Sequence, residues 1–112
     1  MTLSKKQAFN NNLQEVAGIC KVLSHPARIA ILQHLSSCKT CISGDISKEI
    51  PLSRTTVSQH LQELKKANLI EGEIDGVKMC YCLNKKSIKK YFNLLNKIIN
   101  EIVTENKLNK CC

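Results

Sequence analysis

Residues 52–83 read LSRTTVSQHLQELKKANLIEGEIDGVKMCYCL, and this stretch decides the fold. Its first half carries apolar residues at the three-to-four spacing of an amphipathic helix, with polar residues between them. The apolar positions are Val57, Leu61 and Leu64. Ser53 suits an N-cap because its hydroxyl can accept a hydrogen bond from a free backbone N–H. We therefore predict a helix over about 54–67 with one buried and one exposed face.

The second half of the stretch predicts a β-hairpin over about 70–83. Asp75-Gly76 is a strong signal for a two-residue turn, because such turns need residues that tolerate positive φ angles. Ile74 and Val77 flank this turn as the ends of two short strands. The hairpin follows directly on the predicted helix.

Another helix is predicted just upstream, over about 41–49, and Pro51 separates it from the helix over 54–67. Two helices joined by such a tight turn form a helix-turn-helix, and the hairpin that follows makes the unit a winged helix. Before it, the sequence SHPARIAILQHL at 24–35 predicts a buried helix that begins at Pro26.

Longer helices are predicted near the two ends of the chain, over about 5–23 and 86–105. The second has an apolar stripe that the rest of the chain cannot cover fully. The stripe consists of Ile88, Phe92, Leu95, Ile99 and Ile102. The tail 106–112 is polar and is expected to be flexible. We expect a single domain over 1–112, mainly α with a β-hairpin wing, with about five helices plus a two-stranded hairpin.

The charge balance favours an anionic partner. The chain has 17 Lys and Arg against 9 Asp and Glu, for a net charge of +8. Double-stranded DNA is the natural partner of a basic winged helix, which places its second helix in the major groove. Arg and Gln can read base edges, and Ser and Thr can contact phosphates. The predicted DNA-binding residues are Ser53, Arg54, Thr55, Thr56, Ser58, Gln59, His60, Gln62 and Lys78.

Two segments, LSHPARIAILQHL at 23–35 and the stretch at 52–83, resemble the ArsR/SmtB family of winged-helix metal-responsive repressors. The resemblance covers roughly 13–105, which is nearly the whole chain. The family's pattern in the second helix is matched by Leu23, Pro26 and Arg28. Its pattern in the recognition helix is matched by Leu52, Ser53, Val57, Ser58, His60 and Leu61.

This resemblance implies a transcriptional repressor that is a homodimer through its first and last helices, 5–23 and 86–105. Two-fold symmetry implies an operator that is an inverted repeat, with half-sites about 34–36 Å apart or a multiple of that distance. In the family, His60 belongs to the recognition helix, so we interpret it as a structural or phosphate-contacting residue and not as a metal ligand.

Seven cysteines are present, and Cys38 and Cys41 form a Cys-x-x-Cys pair at the start of the helix predicted over 41–49. A helix N-terminus favours thiolates, and thiolates select soft ions. Many family members carry Cys-Val-Cys in this region. The corresponding positions here are Ile42 and Gly44, or Cys41 and Ser43 if the alignment shifts by one residue, so the match is broken. The last helix has no His and no Asp, so the family's zinc site on that helix is absent.

The resemblance makes arsenite or antimonite the leading inducer, bound by Cys38 and Cys41. Trivalent arsenic takes up to three thiolates. Cys111 or Cys112 at the end of the tail is a candidate for the third, and the alternative is a tail that does not bind. The remaining cysteines are expected to pack inward as small apolar residues. These are Cys20, Cys80 and Cys82.

Two alternatives use the same fold: a thiol sensor of oxidants or persulfide, and a zinc or cadmium sensor with four sulfur ligands. A thiol-disulfide oxidoreductase is disfavoured, because that chemistry normally sits in a βαβ unit. No catalytic triad, phosphate-binding glycine loop or carboxylate pair is evident, so no enzyme activity is predicted. No apolar run approaches the roughly 20 residues of a membrane span, and a cytoplasmic location is expected.

Overall fold

The computed structural model describes residues 8–37, 42–43, 49–74 and 79–104, which form four helices and three strands. The helices are α1 (Asn11–Val22), α2 (Pro26–Ser36), α3 (Arg54–Lys66) and α4 (Lys85–Val103). The strands are β1 (Ile42–Ser43), β2 (Ile70–Ile74) and β3 (Met79–Leu83), in the spatial order β1-β3-β2 with both pairs antiparallel. The predicted winged helix-turn-helix class is confirmed, with four helices in these ranges instead of about five.

Side chains cap the N-termini of three helices. Asn10 Oδ1 accepts from the Leu13 N–H at 2.9 Å before α1, and Asn84 Oδ1 accepts from the Ser87 N–H at 3.1 Å before α4. Ser53 caps α3 as predicted, through its Oγ. Such caps each stabilise a helix by about 1 kcal/mol. They set where these helices begin.

The core lies where α2, α3 and the sheet meet. Its buried members are Ile31, Leu35, Ile50, Val57, Leu61, Leu64, Leu69, Ile70 and Tyr81. The predicted inner stripe of α3 is confirmed, because its three residues are all at most 1% exposed. Burial of a Leu or Val side chain contributes about 1.5–3 kcal/mol. Helix α3 is therefore held with a single face toward solvent.

The chain reverses sharply between α3 and β2. Asn68 adopts a φ angle of 62°, the left-handed conformation that often ends a helix. The Leu69 N–H then bonds back to the Leu64 carbonyl at 3.0 Å, and the Leu69 carbonyl accepts from the Asn84 N–H at 2.9 Å. This turn fixes the direction in which β2 continues from the end of α3.

The hairpin is present, but its predicted register is wrong. A two-residue turn at Asp75-Gly76 would pair Ile74 with Val77, whereas Ile74 pairs with Met79. The turn itself lies outside the described residues. The register places Gly72, with a φ angle of 123°, opposite Tyr81. Any Cβ on Gly72 would lie 2.1 Å from the Cys80 carbonyl oxygen, so tertiary packing selects this pairing.

The helix predicted over about 41–49 is wrong at Ile42 and Ser43. These residues form a strand whose partners are Tyr81 and Cys80. The free edge of β3 offers backbone hydrogen bonds that the local helical pattern cannot match. Residues 44–48 lie outside the described ranges.

The cysteines predicted to pack inward do not do so. Cys20 and Cys80 are exposed, and Cys82 is only partly buried. Side chains alternate along a strand, so the buried Tyr81 directs both of its neighbours to the opposite face. Helix α1 packs on the core through Ile19 and Val22 instead of Cys20.

Helices α1 and α4 pack on each other and leave apolar side chains exposed. We call this the end-helix surface, and it consists of Phe9, Leu13, Phe92, Ile99, Ile102 and Val103. The predicted helix over 86–105 is observed as Lys85–Val103, whereas the one over 5–23 begins at Asn11, with residues 1–7 outside the described ranges. Within the described part of the chain, no helix is long and apolar enough to cross a membrane.

We expect Gly72→Ala to lower the free energy of unfolding by roughly 1–3 kcal/mol, because alanine is strained at this φ angle and its Cβ meets backbone. Gly18→Ala is the matched control. Its Cβ would meet nothing within 4 Å, so it should stabilise α1 by about 0.5–1 kcal/mol. Urea unfolding followed by circular dichroism measures both. Equal stability of the two variants would contradict the assigned register.

Candidate nucleic-acid interface

The outward face of α3 carries most of the residues predicted to bind DNA. Arg54, Thr55, Gln59 and Gln62 are exposed on the side of the helix opposite its buried stripe, and Ser58 is partly buried. Their side chains offer hydrogen-bond donors and acceptors of the kind that read base edges in the major groove. Lys78 lies outside the described residues.

The N-terminus of α3 is organised by its own cap. The Ser53 Oγ accepts from the Thr56 N–H at 3.2 Å and donates to the Thr56 Oγ1 at 2.9 Å. Ser53 and Thr56 therefore hydrogen-bond to each other, and both help to cap α3. The helix terminus that they order is a place where backbone N–H groups and the helix dipole favour a phosphate.

Charge on α3 is graded along the helix. No acidic residue precedes Glu63, and Arg54 gives the first turn a positive charge. Glu63 pairs with the Lys66 Nζ at 3.4 Å. The Glu63 carboxylate is thus paired with a cation. Both residues lie near the C-terminal end of α3, which a helix-turn-helix keeps farther from the bases.

Arg28 links three helices through two hydrogen bonds. Its Nε donates to the Nδ1 of His60 on α3 at 3.0 Å, and its Nη1 donates to the Val22 carbonyl at the end of α1 at 3.1 Å. Arg28 itself lies on α2. Because Arg28 and His60 are 32 residues apart in the sequence, no local spacing predicts this contact. The arginine therefore holds the recognition helix against the two helices that precede it.

The surroundings of His60 favour the neutral form of its ring. Burial of the ring, then the charge of Arg28 and then His25 lower the pKa of His60 below its ordinary value of 6.5. The His25 and His60 ring centroids are 5.5 Å apart. Since Nδ1 accepts from Arg28, the proton of the neutral ring is on Nε2. That nitrogen is a hydrogen-bond donor that could serve a phosphate.

An open cleft runs beside α3 and is lined by polar side chains. Its lining consists of Arg28, Gln59, His60, Gln62, Glu63 and Lys66. A shallow polar surface next to the outward face of α3 suits contact with a nucleic-acid backbone better than the enclosure of an apolar ligand.

The cysteines predicted to bind a metalloid are not among the described residues. Cys38, Cys41, Cys111 and Cys112 all lie outside the described residues. In the ranges 8–37, 42–43, 49–74 and 79–104, no three His, Cys, Asp or Glu side chains are grouped to hold a metal ion. Of the described cysteines, Cys20 and Cys80 carry free thiols.

We expect part of the pH dependence of stability to come from His60. A histidine whose pKa is lowered by folding contributes stability that is complete above the unfolded pKa of about 6.5. This stability decreases as the pH falls below that value and is lost below the folded pKa. His60→Gln should therefore flatten the decrease in unfolding free energy between pH 7.5 and 5, measured by urea titration. An unchanged slope would contradict this assignment.

Comparison with known proteins identifies the family. Residues 23–73 match a family described as a helix-turn-helix domain. The arsenical resistance operon repressor of Staphylococcus xylosus is 34% identical over 87 residues, which are 78% of this chain and 82% of that protein.

Solved structures agree on the fold. NolR from Sinorhizobium fredii has a TM-score of 0.58 at 26% identity, over 88% of this chain and 95% of that one. A homodimeric winged helix-turn-helix domain from Mycobacterium bovis, described as a possible ArsR-family regulator, has a TM-score of 0.57 at 23% identity, over 98% and 99%. The exposed face of α3, its caps and these relatives together show that the chain belongs to the ArsR family of winged helix-turn-helix transcriptional repressors.

Proposed function

We propose that this protein is a homodimeric repressor of a metalloid-resistance operon, released from its operator when trivalent arsenic or antimony binds Cys38 and Cys41. The family consists of DNA-binding regulators and is not an enzyme class. The observation that carries DNA recognition is the outward face of α3, which is free of carboxylates through Gln62. That face is anchored on its other side by Arg28.

Recognition on this proposal begins with Arg54, Gln59 and Gln62 at base edges in the major groove. The His60 Nε2 and the α3 N-terminus contact phosphates, and these contacts set the orientation of the protein on the duplex. Arg28 connects His60 to α2 and α1. The binding of a phosphate at His60 therefore depends on the positions of both helices.

Dimerisation is supported by the end-helix surface. Ile102 is 70% exposed and Phe92 is 56% exposed, although both belong to the apolar stripe of α4. Exposed apolar side chains grouped on two helices that pack together favour an interface. A second copy of the chain would cover this surface by two-fold symmetry, and such a dimer fits an inverted-repeat operator.

The inducer is supported by the chemistry of the Cys-x-x-Cys pair and by the function named for the relative from Staphylococcus xylosus. Soft thiolates suit trivalent arsenic and antimony. Ile42 and Ser43 form a strand, so the helix start expected in this region does not support the proposal. Capture then depends on the number of thiols within reach.

We expect Gln59→Ala to weaken binding to the operator by about 1–3 kcal/mol while changing binding to scrambled DNA much less, because a lost base-edge contact affects only the specific site. Gln33→Ala, at an exposed position on α2, is the matched control and should bind like the wild type. Fluorescence anisotropy with the two duplexes measures the difference. Equal losses on both duplexes would contradict a reading role for Gln59.

Replacing Cys38 and Cys41 together by Ser should abolish release of the operator by arsenite and antimonite. The measurement is a gel shift with the promoter upstream of the gene, compared for each variant with and without the inducer. Zinc, cadmium and a persulfide are added in separate lanes. Release of the wild type by one of these, with no response to arsenite, would replace the proposed inducer by one of the alternatives.

A further inference from the structure

Helix α4 carries a concentration of positive charge on its exposed side. It has five lysines against the single carboxylate of Glu101, so these 19 residues hold half of the net charge of +8. All five lysines are exposed. They are Lys85, Lys86, Lys89, Lys90 and Lys97. The contacts predicted with the operator use none of them.

The first four of these lysines lie where positive charge opposes the helix. Lys85 and Lys86 begin α4, and its first turn has no acidic residue. Cations near a helix N-terminus are disfavoured by the helix dipole. Lys85 and Lys89 are four residues apart, as are Lys86 and Lys90, and like charges repel at this spacing on a helix. Local electrostatics therefore destabilise the start of α4, and such a departure from local preference is expected where residues serve a function.

No carboxylate offsets this charge within the part of the chain that the structure describes. The ion pair found there joins Lys66 to Glu63 on α3, and the lysines of α4 take no part in it. Lys90 instead approaches Tyr91, with its Nζ 5.8 Å from the ring centroid. An anionic partner would relieve both the repulsion between the lysines and their conflict with the helix dipole.

Three of the lysines form a line along α4 that is separate from the end-helix surface. We call it the lysine line, and it consists of Lys86, Lys90, Asn93 and Lys97, all exposed. Its members are four, three and four residues apart, which places them on one side of a helix. With 3.6 residues per turn, the line lies about a third of a turn or more around the helix from Phe92 of the end-helix surface. A dimer formed through that surface would leave the lysine line exposed.

The lysine line begins at the end of the domain that is away from the bases. Leu83 pairs with Ile70, and the Asn84 N–H donates to the Leu69 carbonyl at 2.9 Å. Leu69 follows the C-terminal end of α3 in the chain, so α4 starts beside that end. A helix-turn-helix contacts base edges with the N-terminal residues of its recognition helix. DNA held by α3 therefore lies toward the opposite end of α3.

We propose that the lysine line binds the phosphate backbone of a second DNA segment while α3 holds the operator. This inference rests on the proposed function for the operator contact of α3, and it adds a sequence-independent contact on another surface. DNA carries one negative charge per about 3.4 Å of each strand, so a line that is about 16 Å long faces several phosphates. The protein then joins two DNA segments, such as two parts of one promoter region.

The composition of the lysine line favours DNA over other anionic partners. Lysine and asparagine side chains both contact DNA phosphates. Protein interfaces are instead enriched in aromatic residues and arginine and depleted in lysine, and neither enriched type occurs in the line. An anionic membrane surface also requires apolar side chains beside the lysines, and on α4 these belong to the end-helix surface proposed for the dimer.

A capture experiment with two duplexes tests this assignment. A promoter duplex is fixed to beads and bound by a limiting amount of full-length protein, and a labelled duplex of scrambled sequence is then added. The wild type should capture the second duplex, and Lys86→Gln/Lys90→Gln should lower the affinity for that duplex roughly ten-fold at physiological salt. The slope of log K against log salt for the second duplex should become shallower by about 2, because two phosphate contacts are lost.

Two matched variants separate the lysine line from net charge alone. Lys21→Gln/Gln33→Glu lowers the net charge equally, at exposed positions on α1 and α2, and should keep capture. Lys86→Arg/Lys90→Arg should also keep it, because the contact depends on charge. The melting temperature of Lys86→Gln/Lys90→Gln, followed by circular dichroism, should not fall below that of the wild type, since the substitutions remove repulsion. Unfolding then does not account for a loss of capture.

Undiminished capture by Lys86→Gln/Lys90→Gln, or an equal loss in Lys21→Gln/Gln33→Glu, would overturn the inference. An equal fall in the affinity of Lys86→Gln/Lys90→Gln for the promoter duplex would also overturn it, because the lysines would then contact the operator itself. A wild type that binds the promoter duplex but captures no second duplex overturns this inference alone, even if these lysines bind phosphatidylserine vesicles or polyglutamate. A wild type that does not bind the promoter duplex overturns the proposed function as well.

Discussion

Burial of Tyr81 at the centre of the three-stranded sheet is the constraint on which the rest of the structure depends. Its side chain is fully buried in the same core as Ile31 and Leu61. Strand alternation then places Cys80 and Cys82 on the outer face. The close approach of β2 to β3 at this point requires Gly72, because a Cβ there would meet the backbone of β3. One buried ring therefore accounts for the hairpin register and for the exposure of the wing thiols.

The same core holds the recognition helix from one side, and Arg28 holds it from the other. The buried stripe of α3 leaves a single face for DNA, while the guanidinium of Arg28 binds both His60 and the end of α1. α1 is also one of the helices that carry the end-helix surface. On the proposed dimer, a change at the subunit interface would reach α3 through this arginine.

The sequence by itself determined the winged helix and the reading face. The three-to-four spacing of Val57, Leu61 and Leu64 and the cap at Ser53 are local signals, and the structure confirms both. The sequence could not determine the strand at Ile42–Ser43, the hairpin register or the face of β3 on which Cys80 and Cys82 lie. Only tertiary structure decided these, because each depends on which side of β3 meets the core and which backbone pairs with its free edge. The contact between Arg28 and His60 belongs to the same group, since residues so distant in the chain meet only when α2 and α3 pack.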